Sequence, residues 1–444
     1  MLIYSTDITS RLRWIATTLL GNEVAFTSSK EDFMVCETLK INYSFERISN
    51  DEFFIQPNGL LSQTTIQSQL IECFKWNGLT VFFKTIGDIP FDIFAAAFYL
   101  LSRYEEYLPH IKDNYGRYAA ANSLAYKENF LHLPLVNLWM KEWEKEVNAK
   151  WQIMQGNAYQ FCISTFSFIP TYDIDIAYAY LHQPILKNVI GFYKDLLKTD
   201  FDKVLERATV YSNKKTDPFD VYNWLDALHE KMQLTPIYFF LTCIKKGKYD
   251  KNLTIRNKAL QQLYRQLAAK YSFGIHPSWK SGDDELQERL GKKQKHNLLL
   301  KEIQALNKLT EQPIKKSRQH YLRFEIPHTF RKLISVGITE EYSMGYGGSN
   351  GFRASYCLPY YWYDIEKESI TSLQLHSLCF MDANAIFKKD YSVDEAAIEL
   401  KQYFDIVKLV GGEFICLFHN HFLTEQKEWL EWRRLYENFL KTTC

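Results

Sequence analysis

The sequence predicts an α/β protein in which a smaller mixed α/β domain, residues 1–155, precedes a larger domain, residues 156–444. From about Phe161 onward, short apolar runs alternate with longer amphipathic segments. This alternation is typical of a parallel sheet or a barrel. The length of 444 residues suits two or three domains rather than one.

The composition excludes several classes of protein. With 46% hydrophobic residues the chain can bury a core, which excludes wholesale disorder. The chain has 53 Lys and Arg against 52 Asp and Glu, a net charge of +1, and no long basic run. We therefore expect no nucleic-acid partner. An aromatic content of 16% permits surfaces that stack on sugars but does not demand them.

The start of the chain and its cysteines indicate a reducing compartment. Asp7, Arg11 and Arg13 interrupt the apolar run that a secretory signal needs. The longest apolar run, Ile93 to Leu101, is too short to cross a bilayer core of about 30 Å. We therefore predict a cytoplasmic protein without a membrane span, whose cysteines are buried free thiols. None forms a CxxC pair; they are Cys36, Cys73, Cys162, Cys243, Cys357, Cys379, Cys416 and Cys444.

The first 150 residues contain no arrangement of residues that predicts catalysis. Phe53–Ile55 and Thr80–Lys84 are predicted strands. Apolar residues at helical spacing between Phe91 and Leu101 predict a helix that buries one aromatic face. Three charged residues are expected near its solvated end: Arg103, Glu105 and Glu106.

The second part of the chain is predicted to supply the strands and helices of the sheet or barrel. The predicted strands are Phe161–Tyr172, Pro236–Thr242, Phe273–His276, Tyr321–Phe324, Thr339–Met344, Leu373–Met381 and Glu413–His419. The predicted helices between and after them are Val221–Gln233, Asp284–Leu309, Ser392–Leu409 and Thr424–Leu440.

Acidic and imidazole side chains collect where these strands end. Ligands of parallel sheets and barrels bind at the carboxyl ends of the strands, so residues there are candidates for a functional site. Any one of them could be structural, but several together favour a shared site. The candidates are Asp173, Asp175, His276, His320, Asp382 and His419.

Asp173 and Asp175 lie two residues apart, so on a strand they share one face. Two carboxylates on one face repel each other unless a cation lies between them, and a divalent metal is the usual solution. The alternative is a pair of aspartates that cap a helix or form a turn. One Asp with two His makes an open metal site of the kind that activates water.

Five segments resemble, in their order and spacing, the motifs of the polysaccharide deacetylase superfamily (NodB homology, carbohydrate esterase family 4). Within that superfamily, the chain most resembles a subgroup found in Bacteroidetes, whose proteins carry an N-terminal domain of unknown function. Phe91–Phe98 and Ser102–Glu106 look like part of that domain. The five segments are Thr171–Asp175, Gly274–Ser278, Gly351–Ser355, Met381–Asp382 and Leu417–Asn420.

The resemblance implies a distorted (β/α)7-type barrel and metal-dependent removal of N- or O-acetyl groups from carbohydrate. It also implies a role for each matching residue. Asp173 would be the general base, and Arg353 would hold it. His419 would be the general acid, and Asp382 would orient it. Asp175 would bind the metal, which we expect to be zinc or another divalent ion.

The second motif departs from the pattern of the family, which has two histidines four residues apart. His276 matches the first, but Lys280 stands where the second is expected, and a charged ammonium cannot bind a metal. We infer that His320, beside a neighbouring strand, supplies the missing imidazole. Asp175, His276 and His320 are therefore the predicted metal ligands.

Two other interpretations stay open from the sequence. The first is a catalytically inert deacetylase homologue that binds glycans or acts as a scaffold, which the lysine at position 280 favours. The second is a hydrolase for a small amide or an acetylated sugar precursor. The sequence does not indicate the glycan, the acyl group or the oligomeric state.

Overall fold

The structure is a computed structural model that describes residues 1–155, 161, 165–283 and 297–443. The predicted domain boundary at residue 156 and much of the predicted helix Asp284–Leu309 lie outside the described residues. Cys162 and Cys444 lie outside them too. The described cysteines are free thiols, and four of them are buried. In this part of the chain no helix has the length and apolar character needed to cross a membrane.

The described residues form a four-stranded, a nine-stranded and a two-stranded sheet. The strands are β1 Leu2–Tyr4, β2 Ala25–Thr27, β3 Lys40–Tyr43, β4 Phe53–Ile55, β5 Phe74–Trp76, β6 Leu79–Val81, β7 Ser167–Ile174, β8 Ile237–Leu241, β9 Ser272–His276, β10 Lys316–Ser317, β11 Glu340–Met344, β12 Tyr360–Asp364, β13 Ser369–Ser377, β14 Phe380–Met381 and β15 Glu413–His419. The helices are Ser10–Leu20, Lys30–Val35, Ile93–Leu101, Leu124–Lys127, Leu135–Gln155, Ile185–Leu197, Phe201–Tyr211, Tyr222–Met232, Lys258–Lys270, Leu298–Thr310, His328–Ser335, Asp382–Phe387, Val393–Val410 and Leu430–Thr443.

The nine-stranded sheet has the order β12-β13-β11-β10-β9-β8-β7-β15-β14 and is parallel except for β12. The segment Ser369–Met381 makes this sheet curl. Its first part, β13, pairs with β11 near one end of the order, and its last part, β14, pairs with β15 at the other end. Leu378 and Cys379 alone separate β13 from β14, so these strands lie at most about 11 Å apart there. The carboxyl ends of the parallel strands therefore meet around one opening.

Most predicted strands are confirmed within three residues at their ends. Phe161–Tyr172 overlaps β7, which begins only at Ser167, and Leu373–Met381 is divided between β13 and β14. Tyr321–Phe324 is wrong. The strand in that region is β10, and a 3-10 turn at His320–Leu322 follows it. Tyr321 and Leu322 have φ angles of 61° and 51°, in the left-handed region that no strand contains. The turn places His320 directly beyond the end of β10.

The helix Ile93–Leu101 is buried on every side, whereas the sequence predicted one buried face. Phe98 packs against Trp14 on one side and against Tyr363 of β12 on another. Phe94 packs against Trp143. Residues 1–155 thus cover one end of the nine-stranded sheet, and this cover buries the face that was expected to be in solvent.

Glu341 on β11 is a carboxylic acid in the buried interior, and its pKa predicts how the stability of the protein depends on pH. It is fully buried and accepts hydrogen bonds from the hydroxyls of Ser317 and Ser343. Burial raises the pKa of Glu341 from 4.5 to about 7. Well below pH 4.5 it is protonated in both the folded and the unfolded chain. Between pH 4.5 and pH 7 the carboxyl group ionises in the unfolded chain but stays protonated in the folded chain. Ionisation therefore favours the unfolded chain, and the free energy of unfolding falls as the pH rises.

Glutamine does not ionise, so its free energy of unfolding lacks this loss. We therefore expect the free energy of unfolding of Glu341→Gln, relative to that of the wild type, to rise by on the order of 3 kcal/mol from pH 5 to pH 8. Unfolding curves in urea at the two pH values measure the difference. Glu37→Gln, at an exposed position, is the control and should show the same difference from the wild type at both. A constant difference for Glu341→Gln would contradict the raised pKa.

Candidate metal centre

The curled sheet brings six of the seven predicted site residues to its opening. Asp173 lies near the end of β7 and Asp175 follows that strand. His276 and His419 are the last residues of β9 and β15. The other two, His320 and Asp382, follow β10 and β14. Arg353 is the exception.

Asp175, His276 and His320 form a cluster with the composition of a metal site. Their potential ligand atoms all lie within 4.8 Å of one another. The Nε2 atoms of His276 and His320 lie 3.2 Å and 3.6 Å from the two carboxylate oxygens of Asp175. Oδ1 of Asp175 is shut off from solvent and accepts no hydrogen bond of good geometry. A buried carboxylate oxygen without a donor is the feature that a cation would satisfy.

The far side of each imidazole is occupied. His276 Nδ1 donates to the carbonyl oxygen of Arg318 at 2.6 Å, and His320 Nδ1 lies 3.1 Å from Oδ1 of Asp250. With a proton on each Nδ1, both Nε2 lone pairs point at Asp175. One carboxylate and two such imidazoles form a donor set that suits a divalent metal ion.

The charges of this cluster support one another. Burial opposes ionisation of Asp175, but His320 and His276 outweigh it and lower its pKa well below 3.8. Burial also opposes the charge of His320, yet Asp175 and Asp250 raise its pKa to about 9. Asp175 and His320 therefore carry opposite charges near neutral pH.

The guanidinium that holds Asp173 belongs to Arg318 and not to Arg353, which corrects the prediction. Arg318 Nη1 donates to Oδ1 of Asp173 at 3.1 Å and to the hydroxyl of Thr171 at 2.8 Å. Arg318 is buried and its guanidinium stacks 4.3 Å above the ring of Phe239. It reaches Asp173 through the interior of the curled sheet, from the end of β10 to β7.

Arg353 binds Glu106 instead. Its Nε and Nη2 donate to the two carboxylate oxygens at 2.9 Å and 2.6 Å, and its Nη1 donates to the carbonyl of Gly345. Arg103 donates to Glu106 and to Glu105 as well, both at 2.8 Å. The exposed fractions of Arg103, Glu105 and Glu106 are only 1%, 8% and 5%, so the predicted solvated helix end is wrong. With Arg353 they form a buried ionic contact between the first 155 residues and the loop that joins β11 to β12.

His419 and Asp382 are paired at the opening. His419 Nδ1 lies 2.7 Å from Oδ1 of Asp382, and the backbone N–H of His419 donates to Oδ2 at 2.6 Å. Burial disfavours the imidazolium, but Asp382 and Asp175 raise the pKa of His419 to about 9. His419 Nε2 lies 3.7 Å from Asp175 Oδ2, so a protonated nitrogen faces the candidate metal ligands. For the neighbouring His421, burial and the charge of His419 lower the pKa to about 3.

A cavity of about 260 Å³ opens over these residues. Asp173, Asp175, His276 and His419 form its floor, and aromatic side chains form part of its wall. The first half of the chain contributes Tyr115 and Arg117, which sequence reasoning missed. Tyr321 and His421 also line the cavity.

Arg117 enters the wall because position 347 is a glycine. A Cβ at Gly347 would lie 1.7 Å from Arg117 Nη1, which leaves no room for another residue. The guanidinium donates to Asp113 Oδ2 at 2.8 Å and to the carbonyl of Tyr321 at 2.7 Å. The segment that holds Asp113 and Arg117 therefore supports the turn that carries His320.

Asp250 is a further residue that the sequence did not indicate. It accepts hydrogen bonds from the backbone N–H groups of Gly247 at 2.6 Å and of Trp279 at 2.7 Å. It lies in the loop after β8, 70 residues from His320 in the chain, and no motif or spacing connects the two. Lys280, at the expected second histidine, lies beside it, with its backbone N–H 3.4 Å from Asp250 Oδ2.

Residues 1–152 match the model of a family of unknown function (DUF7033). No curated protein matches.

Solved structures that match include a polysaccharide deacetylase described as putative, from Mycobacterium smegmatis, at 12% identity and a TM-score of 0.37, over 62% of this chain and 84% of that one. Another is a probable polysaccharide deacetylase from Pseudomonas aeruginosa PAO1, at 13% identity and a TM-score of 0.38, over 63% of this chain and 85% of that one. The Puue allantoinase matches at 13% identity and a TM-score of 0.37, over 62% of this chain and 84% of that one. Values of this size assign neither a family nor an activity to this chain.

Proposed function

We propose that this chain is a metal-dependent hydrolase that removes acetyl groups from N-acetylated or O-acetylated carbohydrate. One observation carries the proposal. Asp175, His276 and His320 present three ligand atoms within 4.8 Å of one another, and Asp175 and His276 line a cavity together with Asp173 and His419. Beside a metal site, a carboxylate can act as the general base and an imidazolium as the general acid in the hydrolysis of an acyl bond.

Each residue of the floor has a distinct task in the proposed reaction. Asp175, His276 and His320 would hold a divalent ion, which supplies Lewis acidity and makes water a nucleophile near neutral pH. Asp173 accepts the proton of the attacking water, and Arg318 holds Asp173 in place. His419 donates a proton from Nε2 to the departing amine or alcohol of the sugar. Asp382 fixes His419 in the tautomer that this step needs.

We further propose that the curled sheet is a distorted (β/α)7 barrel, preceded by an accessory domain of residues 1–155. The strand order supports this if Ser369–Met381 counts as one position, because the parallel strands then fill seven positions. A crystal structure in which β13 and β14 lay in separate sheets would contradict the barrel.

Metal content and deacetylation together test the activity. The purified full chain should carry close to one equivalent of zinc or another divalent ion and release acetate from an N-acetylglucosamine oligomer. Asp175→Ala and His276→Ala should lose the metal and the activity, because each leaves two ligands. A wild-type protein that binds no divalent ion, or metal retained in both variants, would refute the scheme.

Asp250 should act as a positioning residue for His320. Asp250→Asn removes the charge that fixes the Nδ1 proton, and such outer partners typically contribute about 10–100-fold to metal affinity. We expect zinc affinity, measured by competition with a chelator, to fall within that range. Asp283→Asn, which changes a partner of Arg323 nearer the surface, is the matched control and should bind zinc like the wild type. Equal affinity in the two variants would remove Asp250 from the site.

A catalytically inert homologue that binds glycans or acts as a scaffold is the second candidate, and Lys280 in place of the expected histidine favours it. The two candidates differ in one measurement. An inert homologue retains binding of the N-acetylglucosamine oligomer but releases no acetate after loading with zinc. Acetate release that depends on His320 would exclude it.

A further inference from the structure

Two helices on the outside of the molecule expose an unusual amount of apolar surface. We name Ile185–Leu197 and Phe201–Tyr211 the outer hairpin; it follows β7 and the Asp175 segment. About half of the large apolar side chains that are exposed in the described part of the chain belong to it. Ile185 and Leu197, at the two ends of the first helix, are 82% and 83% exposed. Clustered exposure of this kind marks an interaction surface.

The outer hairpin is amphipathic in the inverse sense, with its polar side turned toward the protein. Asn188 is buried, and its side-chain amide donates to the carbonyl of Tyr180 at 2.9 Å. Arg207 on the second helix donates to Asn188 Oδ1 at 3.1 Å and to Asp195 Oδ2 at 2.7 Å. A Cβ at Gly191 would lie 2.7 Å from Arg207 Nη2, so the helices approach closely on this side. These contacts fix the apolar side toward solvent.

On the first helix the apolar side forms one continuous stripe. Leu186, Val189, Ile190, Tyr193 and Leu197 follow one another at intervals of three, one, three and four residues, and all are exposed. That spacing places them along a single face. On the second helix Phe201 and Leu205, one turn apart, extend the surface.

A lysine-rich loop borders the outer hairpin. Lys245, Lys246, Lys248 and Lys251 follow β8 and are exposed. The side-chain amide of Asn257, six residues after Lys251, donates to the carbonyl of His182, three residues before the first helix, at 3.2 Å. Burial, together with the charges of Lys246 and Lys251, lowers the pKa of Lys187 on that helix. Among the residues that the structure describes, none of the four loop lysines has a carboxylate within ion-pair distance.

The lysine-rich loop also connects the outer hairpin to the candidate metal centre. Asn252, next to Lys251, donates to the carbonyl of Ile174 at 2.9 Å and accepts from the backbone N–H of Ala177 at 3.1 Å. It therefore ties the loop to the chain that runs from Asp175 to the hairpin. The charge of Lys251 is also felt by His421 in the cavity wall. Hairpin, loop and cavity thus belong to the same end of the sheet.

We propose that the outer hairpin docks in the plane of an anionic membrane surface, with the lysine-rich loop against the lipid headgroups. A helix of 13 residues is about 20 Å long, too short to span a bilayer but suited to lie in its interface. Lysines beside such a stripe add attraction to anionic lipid. A second copy of the chain fits less well, because a two-fold contact through this face brings like charges toward each other. The proposal does not depend on acetyl hydrolysis.

Sedimentation of the full chain with vesicles tests the proposal. We expect binding to vesicles of phosphatidylcholine mixed with phosphatidylglycerol, weaker binding to phosphatidylcholine alone, and loss of the difference in about 1 M NaCl, where the Debye length is ~3 Å. The triple variant Leu186→Ser, Ile190→Ser and Leu197→Ser should bind at least about tenfold more weakly. Lys245→Glu with Lys246→Glu should lose the preference for phosphatidylglycerol.

The matched control is Ile398→Ser with Leu409→Ser, two exposed apolar positions on the helix Val393–Val410, and it should bind like the wild type. Unchanged melting temperatures verify that the variants fold. No sedimentation of the wild type with either vesicle overturns the proposal, and so does undiminished binding of the triple variant. A dimer in light scattering without lipid that the triple variant abolishes would assign the face to a second copy instead.

Discussion

Replacing Asp173 with asparagine should lower kcat/KM for deacetylation of an N-acetylglucosamine oligomer by about 10²–10⁴-fold, the usual contribution of a general base. Asparagine has nearly the same shape and still accepts a hydrogen bond from Arg318, but it cannot take a proton from water. The metal ligands remain, so the metal content of the variant should equal that of the wild type. Acetate release and metal analysis on the same protein samples measure both.

Asp175→Asn is the matched partner of this variant, because the two aspartates lie two residues apart and differ only in their neighbours. Asp175 faces the Nε2 atoms of His276 and His320, so its variant should lose both metal and activity. Equal metal loss in the two variants would contradict the division of roles. So would an Asp173→Asn enzyme with more than about a tenth of the wild-type activity, which is less than a general base contributes.

The part of the site that the sequence predicted consists of residues at strand ends. Asp173, Asp175, His276 and His419 lie within or next to strands that apolar patterning finds, and parallel strands bring their carboxyl ends together. Strand detection predicts that these four lie at the same end of the sheet, but not the distances between them. What remains untested from the sequence is their chemistry, which the variants above address.

The parts that the sequence did not predict depend on side chains that cross the interior. Arg318 directly follows β10 and Arg353 lies in the loop between β11 and β12. Both are buried, and a motif alone does not decide which one reaches Asp173. In the structure Arg318 binds Asp173, and Arg353 binds Glu106, which lies 247 positions away in the chain. Asp250 is similar, because a loop of irregular conformation carries it to His320. Such pairings depend on the curl of the whole sheet, which local spacing does not encode.

The ionic contact at Glu106 yields the largest stability change that we expect. Burial alone would raise the pKa of Glu106, but the guanidinium groups of Arg353 and Arg103 outweigh it and lower the pKa to about 2. Glu106→Gln keeps the shape and removes the charge, which leaves Arg353 buried without a carboxylate. Breaking a buried pair in this way typically costs about 3–5 kcal/mol. We expect a loss of that size in the free energy of unfolding, measured in urea.

The loss of stability in Glu106→Gln has two contributions, the lost attraction to Glu106 and the charge of Arg353 that is left buried without a partner. The double variant Glu106→Gln with Arg353→Met separates them, because it removes that charge as well. Since replacing both partners of a buried pair is often close to neutral, it should recover much of the loss. Lys401→Met, which breaks an exposed pair with Asp405, is the control and should cost less than about 1 kcal/mol. If Arg353 instead holds the base, Arg353→Met alone should fold with normal stability and lose activity in the manner of Asp173→Asn. Low stability with normal activity per folded molecule is the outcome that the contact with Glu106 requires.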